Sequence, residues 1–348
     1  MQKRVLLSGA TGLIGGELML ILAGRGVYST AVVRAPDEAK ATARLHERLK
    51  KSVLWKPEFA EFVSAAPGDI ESPDFGLSAS ILQSADVVLH SAASTSFKPD
   101  AGVYPVNIRA ASNFGGILKN LKPSQRGFFV GTAAVTMEPR GVITEDMAFA
   151  GYANDYIRSK RDAETLLRAL GAPFISLRPG IVLSRGIDDA KLARNMLWAI
   201  PVMAELGDVP LEPLARLDVA PVDFIASVFA EMLLKSDFKH ACYHVSTGEA
   251  SVTLQALADA LVPSMPGIKK LVMRGRDYVP VPTFARQRWM FAALQPYLPF
   301  LTADAVFSNA RLRDEIGTMA IAPTPNSYLS DMLGTFSLSD AVKQMYTP

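Results

Sequence analysis

The stretch Val5-Leu6-Leu7-Ser8-Gly9-Ala10-Thr11-Gly12-Leu13-Ile14-Gly15 joins a short apolar run to an apolar helical pattern through three glycines. Val5-Leu6-Leu7 predicts a buried strand, and the residues from about Leu13 to Ala23 predict a helix. Between a strand and a helix, glycines at this spacing have separate uses. Gly9 permits the tight turn, Gly12 lets a pyrophosphate approach the backbone, and Gly15 lets helix pack on strand. The helix N-terminus adds unpaired N–H groups and the positive end of a dipole, which together suit a phosphate. An ordinary glycine-rich turn is the competing reading.

Outward from this unit, short β-branched runs alternate with helical patterns. Strands are predicted at Thr30 to Val33, Val87 to His90, Gly127 to Val130 and Phe174 to Leu177. Helices are predicted around Ala39 to Leu49, Asn107 to Asn120 and Tyr156 to Leu170. Runs such as Val87-Val88-Leu89 are apolar on both faces, as in strands covered by two helix layers. After Arg178-Pro179-Gly180 the character changes. Leu192 to Leu206 reads as an apolar helical stretch broken at Pro201, and a helix begins near Pro221-Val222-Asp223 and runs to about Leu234. Tyr243-His244-Val245 reads as one more sheet strand, and the remainder is helical and rich in proline. The expected fold is α/β, a Rossmann-type doubly wound parallel sheet with a smaller, mostly helical C-terminal substrate-binding cap. Residues 1–185 and 218–248 are assigned to an NADP-binding Rossmann domain, and 186–217 with 249–348 to the cap.

Composition narrows the function classes. The 348 residues are 49% hydrophobic and 20% charged, enough apolar content for a sizeable core. Thirty-six basic residues stand against 34 acidic ones, a formal net charge of +2, with no dense basic run; a nucleic-acid partner is not expected. Cys242 is the only cysteine, so no disulfide can form within the chain, and a reducing compartment is expected. Met1-Gln2-Lys3-Arg4 before Val5-Leu6-Leu7 mimics a signal peptide, but Ser8, Gly9, Thr11 and Gly12 break the apolar stretch at once. No apolar run reaches ~18 residues, so a cytoplasmic chain without a transmembrane segment is expected.

About twenty residues past the glycines an acidic side chain would bond a ribose 2′-hydroxyl. Here the strand ends Val32-Val33-Arg34, and a guanidinium can bind a 2′-phosphate bidentately. Arg44 and Lys40 on the next helix can assist, which points to NADPH. Asp37 is the acidic counter-candidate, and Arg34 as a plain solvated charge is the alternative. Further on, Tyr156-Ile157-Arg158-Ser159-Lys160 puts a phenol and an ammonium four apart on one helix face. A carbonyl reductase needs a proton donor beside the developing alkoxide, and a neighbouring ammonium moves a phenol's pKa of ~10 toward neutrality. Upstream, Thr132 follows the strand Phe128-Phe129-Val130, where a hydroxyl faces the crevice of a parallel sheet and can donate to a carbonyl oxygen; a simple strand-end hydroxyl is the alternative. Thr132, Tyr156 and Lys160 are the candidate catalytic residues.

With these residues in place the chain resembles the extended short-chain dehydrogenase/reductase superfamily over nearly its whole length. The carriers are Gly9/Gly12/Gly15, His90-Ser91-Ala92-Ala93, Asn107, Thr132, Tyr156/Lys160 and Arg178-Pro179-Gly180. Within it the chain looks most like the thioester reductases and fatty acyl reductases. Val33-Arg34-Ala35, Gly68-Asp69-Ile70, Phe75-Gly76-Leu77-Ser78, Val222-Asp223-Phe224, Tyr243-His244-Val245, Tyr297-Leu298-Pro299 and Val306-Phe307-Ser308-Asn309 carry that likeness. Gly131 stands where the family usually has a serine. The resemblance implies Asp69 and Ile70 beside the adenine, Ser91, Ala92 and Ala93 along the cofactor, and Pro179, Gly180 and Ile181 near the carboxamide. It adds Thr11, Leu13, Ile14 and Asn107 as cofactor contacts, and Lys160 on the nicotinamide ribose. It implies hydride transfer to an acyl thioester carried on coenzyme A or an acyl carrier protein, giving aldehyde or alcohol. Met196 to Leu206 and Trp289-Met290-Phe291 would line an acyl tunnel or simply be core. An aldehyde or ketone reductase, a sugar-nucleotide epimerase or dehydratase, and a non-catalytic NADP sensor are the alternatives. His240, Cys242 and His244 share a strand face but lack a fourth ligand, so no metal is expected.

Overall fold

In a computed structural model of the chain, residues 3–97, 101–136, 140–148, 154–184, 199–261, 271–281, 284–325 and 327–329 are described. The first half alternates β1 (Arg4–Ser8), α1 (Leu13–Gly24), β2 (Tyr28–Val33), α2 (Glu38–Leu49), β3 (Val63–Pro67), α3 (Ala79–Ser84), β4 (Val87–His90), α4 (Val103–Lys119) and β5 (Arg126–Val130). Then come β6 (Gly141–Ile143), α5 (Asp155–Ala169), β7 (Ile175–Pro179), β8 (Ile181–Leu183), α6 (Ala199–Leu206), β9 (Asp208–Val209), β10 (Arg216–Leu217), β11 (Val219–Pro221), α7 (Val222–Leu234) and β12 (Cys242–Val245). The last elements are β13 (Val252–Thr253), α8 (Leu254–Leu261), β14 (Val272–Met273), α9 (Ala285–Leu294), α10 (Leu298–Leu301), β15 (Ala305–Phe307) and α11 (Ala310–Ile316).

Seven strands form one parallel sheet in the order β12-β7-β5-β4-β1-β2-β3. The expected doubly wound sheet is therefore present. Strand order reverses beside β1, with β2 on one side and β4 on the other, and the crevice at such a switch point is where open α/β sheets bind ligands. One core cluster joins β1, β2 and β4 to α1, α2 and α7, and takes in Leu312 of α11. A second covers the opposite face with Phe75, Ala111, Phe114 and Leu167. A third, built on Val202, Met203, Leu257, Met290, Phe300 and Tyr328, lies outside the sheet layers.

Several boundaries shift from those read in sequence. Helix α4 begins at Val103, before the predicted Asn107, because Pro105 sits in the first turn, where its missing N–H costs nothing. Strand β3 has no counterpart among the predicted strands. Its alanines carry little β signal, and only pairing with β2 makes Val63 to Pro67 a strand. The helix expected across 192–206 is described from Ala199, with Pro201 tolerated in its first turn; 192–198 lie outside the described residues. Among the described residues no helix is long and apolar enough to cross a membrane.

Two buried histidines are held neutral. His90 lies among Phe75, Phe114 and Phe129, and burial, with the Lys160 charge, pulls its pKa down to about 3. His244 donates from Nδ1 to the Ser308 carbonyl (3.3 Å), and burial, then the Arg178 charge, pulls it down to about 3 as well. The folded pKa of each lies below the unfolded value of ~6.5, so the native state binds fewer protons between those values. Stability from this source is complete above pH ~6.5 and is lost as pH falls toward the folded values. We expect the free energy of unfolding in urea to drop on going from pH 7 to about 4.5, by an amount on the order of 2 kcal/mol per histidine. A His244→Gln variant should lose its share of that slope; an unchanged slope would show that His244 does not contribute.

Candidate active site

The turn after β1 is built so that backbone meets backbone. Gly9 has φ +86°, and a Cβ there would stand 2.7 Å from the Ala92 nitrogen on the loop leaving β4. A Cβ at Gly15 would stand 2.4 Å from the Gly9 carbonyl oxygen. The Gly12 N–H donates back to Gly9 O (2.9 Å), which tightens the turn at the start of α1. This is the close approach a dinucleotide cradle requires, so these residues fit a bound NAD(P). Thr11, Leu13 and Ile14 are half-buried on the same turn, as are Ser91, Ala92 and Ala93 on the facing loop. The Ala92 N–H donates to Ser8 Oγ (3.3 Å), which is 2.7 Å from His90 Nδ1. Ser8 thus bonds both the ring and the Ala92 backbone and ties the two crevice loops together.

At the far end of the crevice, Arg34 follows β2 and is largely exposed. Its Nε lies 3.0 Å from Asp69 Oδ2 and its Nη2 3.0 Å from Asp69 Oδ1, a bidentate pair, with Glu71 at 3.5 Å. Backbone N–H of Glu71 and the Arg34 guanidinium hold the Asp69 carboxyl below its ordinary range despite its partial burial. Arg44 donates to the Arg34 carbonyl (2.8 Å), so both guanidiniums lie at one corner. Asp37 caps α2 through the Lys40 N–H (2.8 Å). Ile70 packs on the Phe75–Phe114 cluster, and Asn113 donates to its carbonyl (2.9 Å).

The other end gathers Thr132, Tyr156 and Lys160. Asn154 caps α5 by accepting from the Ile157 N–H, which puts Tyr156 in the first turn of the helix. The Lys160 side chain is buried, and its Nζ donates to the Val130 carbonyl at the end of β5 (2.5 Å). Burial lowers its pKa to about 8, opposed by Glu164 one turn further along α5. Two residues on from Val130, Thr132 is buried and its hydroxyl reaches the Pro179 carbonyl (3.4 Å) while accepting from the Ala134 N–H. Tyr156 is half-buried, and burial pushes its phenol up to about 12. Pro179 ends β7, and Ile181 opens β8 with its N–H donating to Asp218 O. A Cβ on Gly180 would meet the Asp218 carboxylate at 2.7 Å, so the turn is closed against that side chain. Asp218 is itself buried, which raises its pKa to about 7.

Asn107 is buried on α4 with every polar atom of its carboxamide bonded. Its Oδ1 accepts from the Ser94 N–H (2.8 Å), while Nδ2 donates to Ser94 O (3.0 Å) and to Ser159 Oγ (2.9 Å). Ser159 in turn donates to the Tyr156 carbonyl (2.7 Å). The carboxamide thus clamps the β4 loop to the helix that carries Tyr156. Gly131 also finds its reason. A Cβ there would lie 3.1 Å from Arg178 Cγ and 3.3 Å from Glu164 Oε2, and these two form a buried bidentate pair (2.8 and 2.9 Å).

Other readings resolve as follows. Met203 and Met290 are buried in the third core cluster, Trp289 is exposed at 39%, and 196–198 lie outside the described residues. His240 lies before β12 with its ring against Tyr243, and burial pushes the Cys242 thiol up to about 12. Among the described residues no three His, Cys, Asp or Glu side chains are grouped to hold a metal ion. Sequence reasoning missed Arg48. From α2 its buried guanidinium donates to the Gly12 and Leu13 carbonyls (3.2 and 3.3 Å) and to Glu17 Oε1 (3.1 Å), bracing the glycine turn from behind. Glu17, the fifth residue of an otherwise apolar α1, was the available signal, since a buried carboxylate needs a partner.

A family model described as male sterility protein matches residues 7–229. The chain belongs to the male sterility protein family. That family is one of NAD-binding proteins, which the glycine turn between β1 and α1 fits. It is 25% identical over 287 residues to aldehyde reductase lnbA of Aspergillus flavus, which covers 75% of this chain and 28% of that protein. It is 25% identical over 254 residues to L-2-aminoadipate reductase of Saccharomyces cerevisiae, covering 64% of this chain and 18% of the relative. The chain thus spans under a third of either relative's length. Among solved structures, the terminal R domain of the myxalamid PKS-NRPS biosynthetic pathway superposes with TM-score 0.74 at 21% identity, over 99% of this chain and 92% of that one. A thiolation-reductase di-domain of an archaeal non-ribosomal peptide synthetase gives TM-score 0.72 at 18% identity, over 99% and 76%. These two are likenesses of fold.

The Arg48–Glu17 pair gives a direct test. Arg48→Met strands a buried carboxylate, and we expect a loss of about 3 kcal/mol in urea unfolding, with weakened cofactor binding. The double variant Glu17→Leu/Arg48→Met should recover most of the stability. Equal loss in both would show that the pair itself is not the brace.

Proposed function

We propose that this chain is an NADPH-dependent reductase acting on an acyl thioester, held on coenzyme A or an acyl carrier protein, to give an aldehyde or alcohol. The observation that carries the reading is the Lys160 ammonium buried on the Val130 carbonyl, one helical turn from Tyr156 and two residues before Thr132. The relatives' printed activities, aldehyde reductase and aminoadipate reductase, and the thiolation-reductase architecture of a fold neighbour support the substrate class.

NADPH, when bound, supplies the hydride. Gly9, Thr11, Gly12, Leu13, Ile14 and Gly15 would hold its pyrophosphate, Asp69 and Ile70 the adenine side, and Arg34 and Arg44 the 2′-phosphate. Ser91, Ala92 and Ala93 would flank it, Asn107 would fix that loop, and Pro179, Gly180 and Ile181 would meet the carboxamide. We assign 1–185 and 218–248 to this cofactor unit, and 186–217 with 249–348 to the substrate cap. Tyr156 donates its proton to the carbonyl oxygen, and Thr132 orients that oxygen. Burial alone makes the phenol too weak an acid, so the charged Lys160 is needed to bring it toward neutrality. With a thioester, the hemithioacetal then breaks its C–S bond and releases thiol and aldehyde.

NADPH oxidation is measured with pantetheine and coenzyme A thioesters, aldehydes and ketones. Thioester-dependent consumption is expected, and turnover of aldehydes or ketones alone would remove the thioester assignment. Tyr156→Phe should lower kcat by about a hundredfold or more while NADPH affinity stays within a few-fold. Undiminished kcat would exclude Tyr156 as the donor. For cofactor choice, the 2′-phosphate must take the Arg34 guanidinium from Asp69. Arg34→Ala should weaken NADPH binding by about tenfold or more and leave NADH nearly unchanged. Equal loss for both cofactors would contradict the NADPH preference.

A further inference from the structure

The wall beside Tyr156 is aromatic and continuous with the cap. Phe97 packs its ring 5.6 Å from the Tyr156 ring, 5.1 Å from Tyr297 and 5.1 Å from Phe300, the last nearly parallel at 14°. Contacts at these centroid distances leave no room for a further group between the rings. Tyr156, Phe97 and Tyr297 all pack on the third core cluster, with Ile181, Ala134 and Leu298 beside them and Met290, Leu294 and Leu301 behind. The Tyr156 ring thus lies against an apolar cluster.

Phe97 is also fixed at its base. The Asn107 carboxamide takes both the N–H and the C=O of Ser94, three residues earlier, and binds Ser159 on the Tyr156 helix with its remaining N–H. The clamp that positions Tyr156 therefore also sets the root of the loop from which Phe97 reaches across. A ring packed on three others, on a loop whose backbone is tied down three residues earlier, does not yield to a small apolar ligand.

We propose that Phe97 is the specificity-determining side chain of this site, and that with Tyr297 and Phe300 it restricts the group attached to the reacting carbonyl to short or flat apolar groups. A charged group would lose its water against these apolar side chains. A long chain would have to displace Phe97 from its stack. This rests on the reading of Tyr156 as the proton donor to a carbonyl.

The test uses the full chain, NADPH, and two matched series: butanal, benzaldehyde, dodecanal and succinic semialdehyde, and the butyryl, benzoyl, dodecanoyl and succinyl pantetheine thioesters. The wild type should favour butyl and benzyl members over the dodecyl and succinyl ones in kcat/KM by about tenfold or more. Phe97→Ala should raise kcat/KM for the dodecyl members relative to the butyl ones by about tenfold, mainly through KM, with NADPH affinity unchanged. Phe97→Leu, closer in volume, provides the same comparison should the alanine variant fold poorly. Wild-type preference for succinyl or dodecyl members, or variants that scale all substrates alike, would overturn the inference while leaving the reductase reading intact. Turnover of aldehydes but not thioesters, with the length pattern present, would support it and remove only the thioester. Absence of turnover with every member would overturn both.

Discussion

No side chain fits between the turn after β1 and the loop leaving β4, and the organisation of the crevice depends on that contact. A Cβ on Gly9 would collide with the Ala92 backbone, and one on Gly15 with Gly9 itself. Because backbone touches backbone, α1 starts directly at the sheet edge, and its free N–H groups face the switch point between β2 and β4. The contact is reinforced from two sides. Ser8 bridges Ala92 and His90 in front, and Arg48 grips the Gly12 and Leu13 carbonyls behind.

A second constraint carries this order to the chemistry. The β4 loop, once seated on Gly9, is clamped at Ser94 by Asn107, and the same carboxamide reaches Ser159 beneath Tyr156. One amide side chain thus links the glycine turn, the Tyr156 helix and the loop that carries Phe97. Beneath them the Lys160 ammonium and the Glu164–Arg178 pair converge on the peptide between Val130 and Gly131. Burial weakens both the phenol as an acid and the lysine as a cation.

Much of this was readable before any coordinates. The glycine spacing, the doubly apolar strands and the Tyr156/Lys160 interval depend on local geometry that a chain carries in its order of residues, and β1, β4, α1 and α5 lie within a few residues of where the pattern put them. Strand β3 escaped because Ala65 and Ala66 have no period of their own and become a strand only against β2. Arg48 escaped because its partners lie 31 to 36 residues away and an arginine on an amphipathic helix resembles any solvated charge.

By itself the sequence determined the sheet class, the glycine turn and the placing of Tyr156 and Lys160 on one helix face, since each rests on spacing within one strand–turn–helix unit or one helical turn. Tertiary structure alone decided that Arg34 is gripped by Asp69, that Asn107 serves as a clamp, that Gly131 makes way for Arg178, and that Phe97 closes the wall at Tyr156. Each of those contacts joins residues from separate strands or loops. The partner of a side chain across a sheet is set by packing, and no periodicity in the sequence records it.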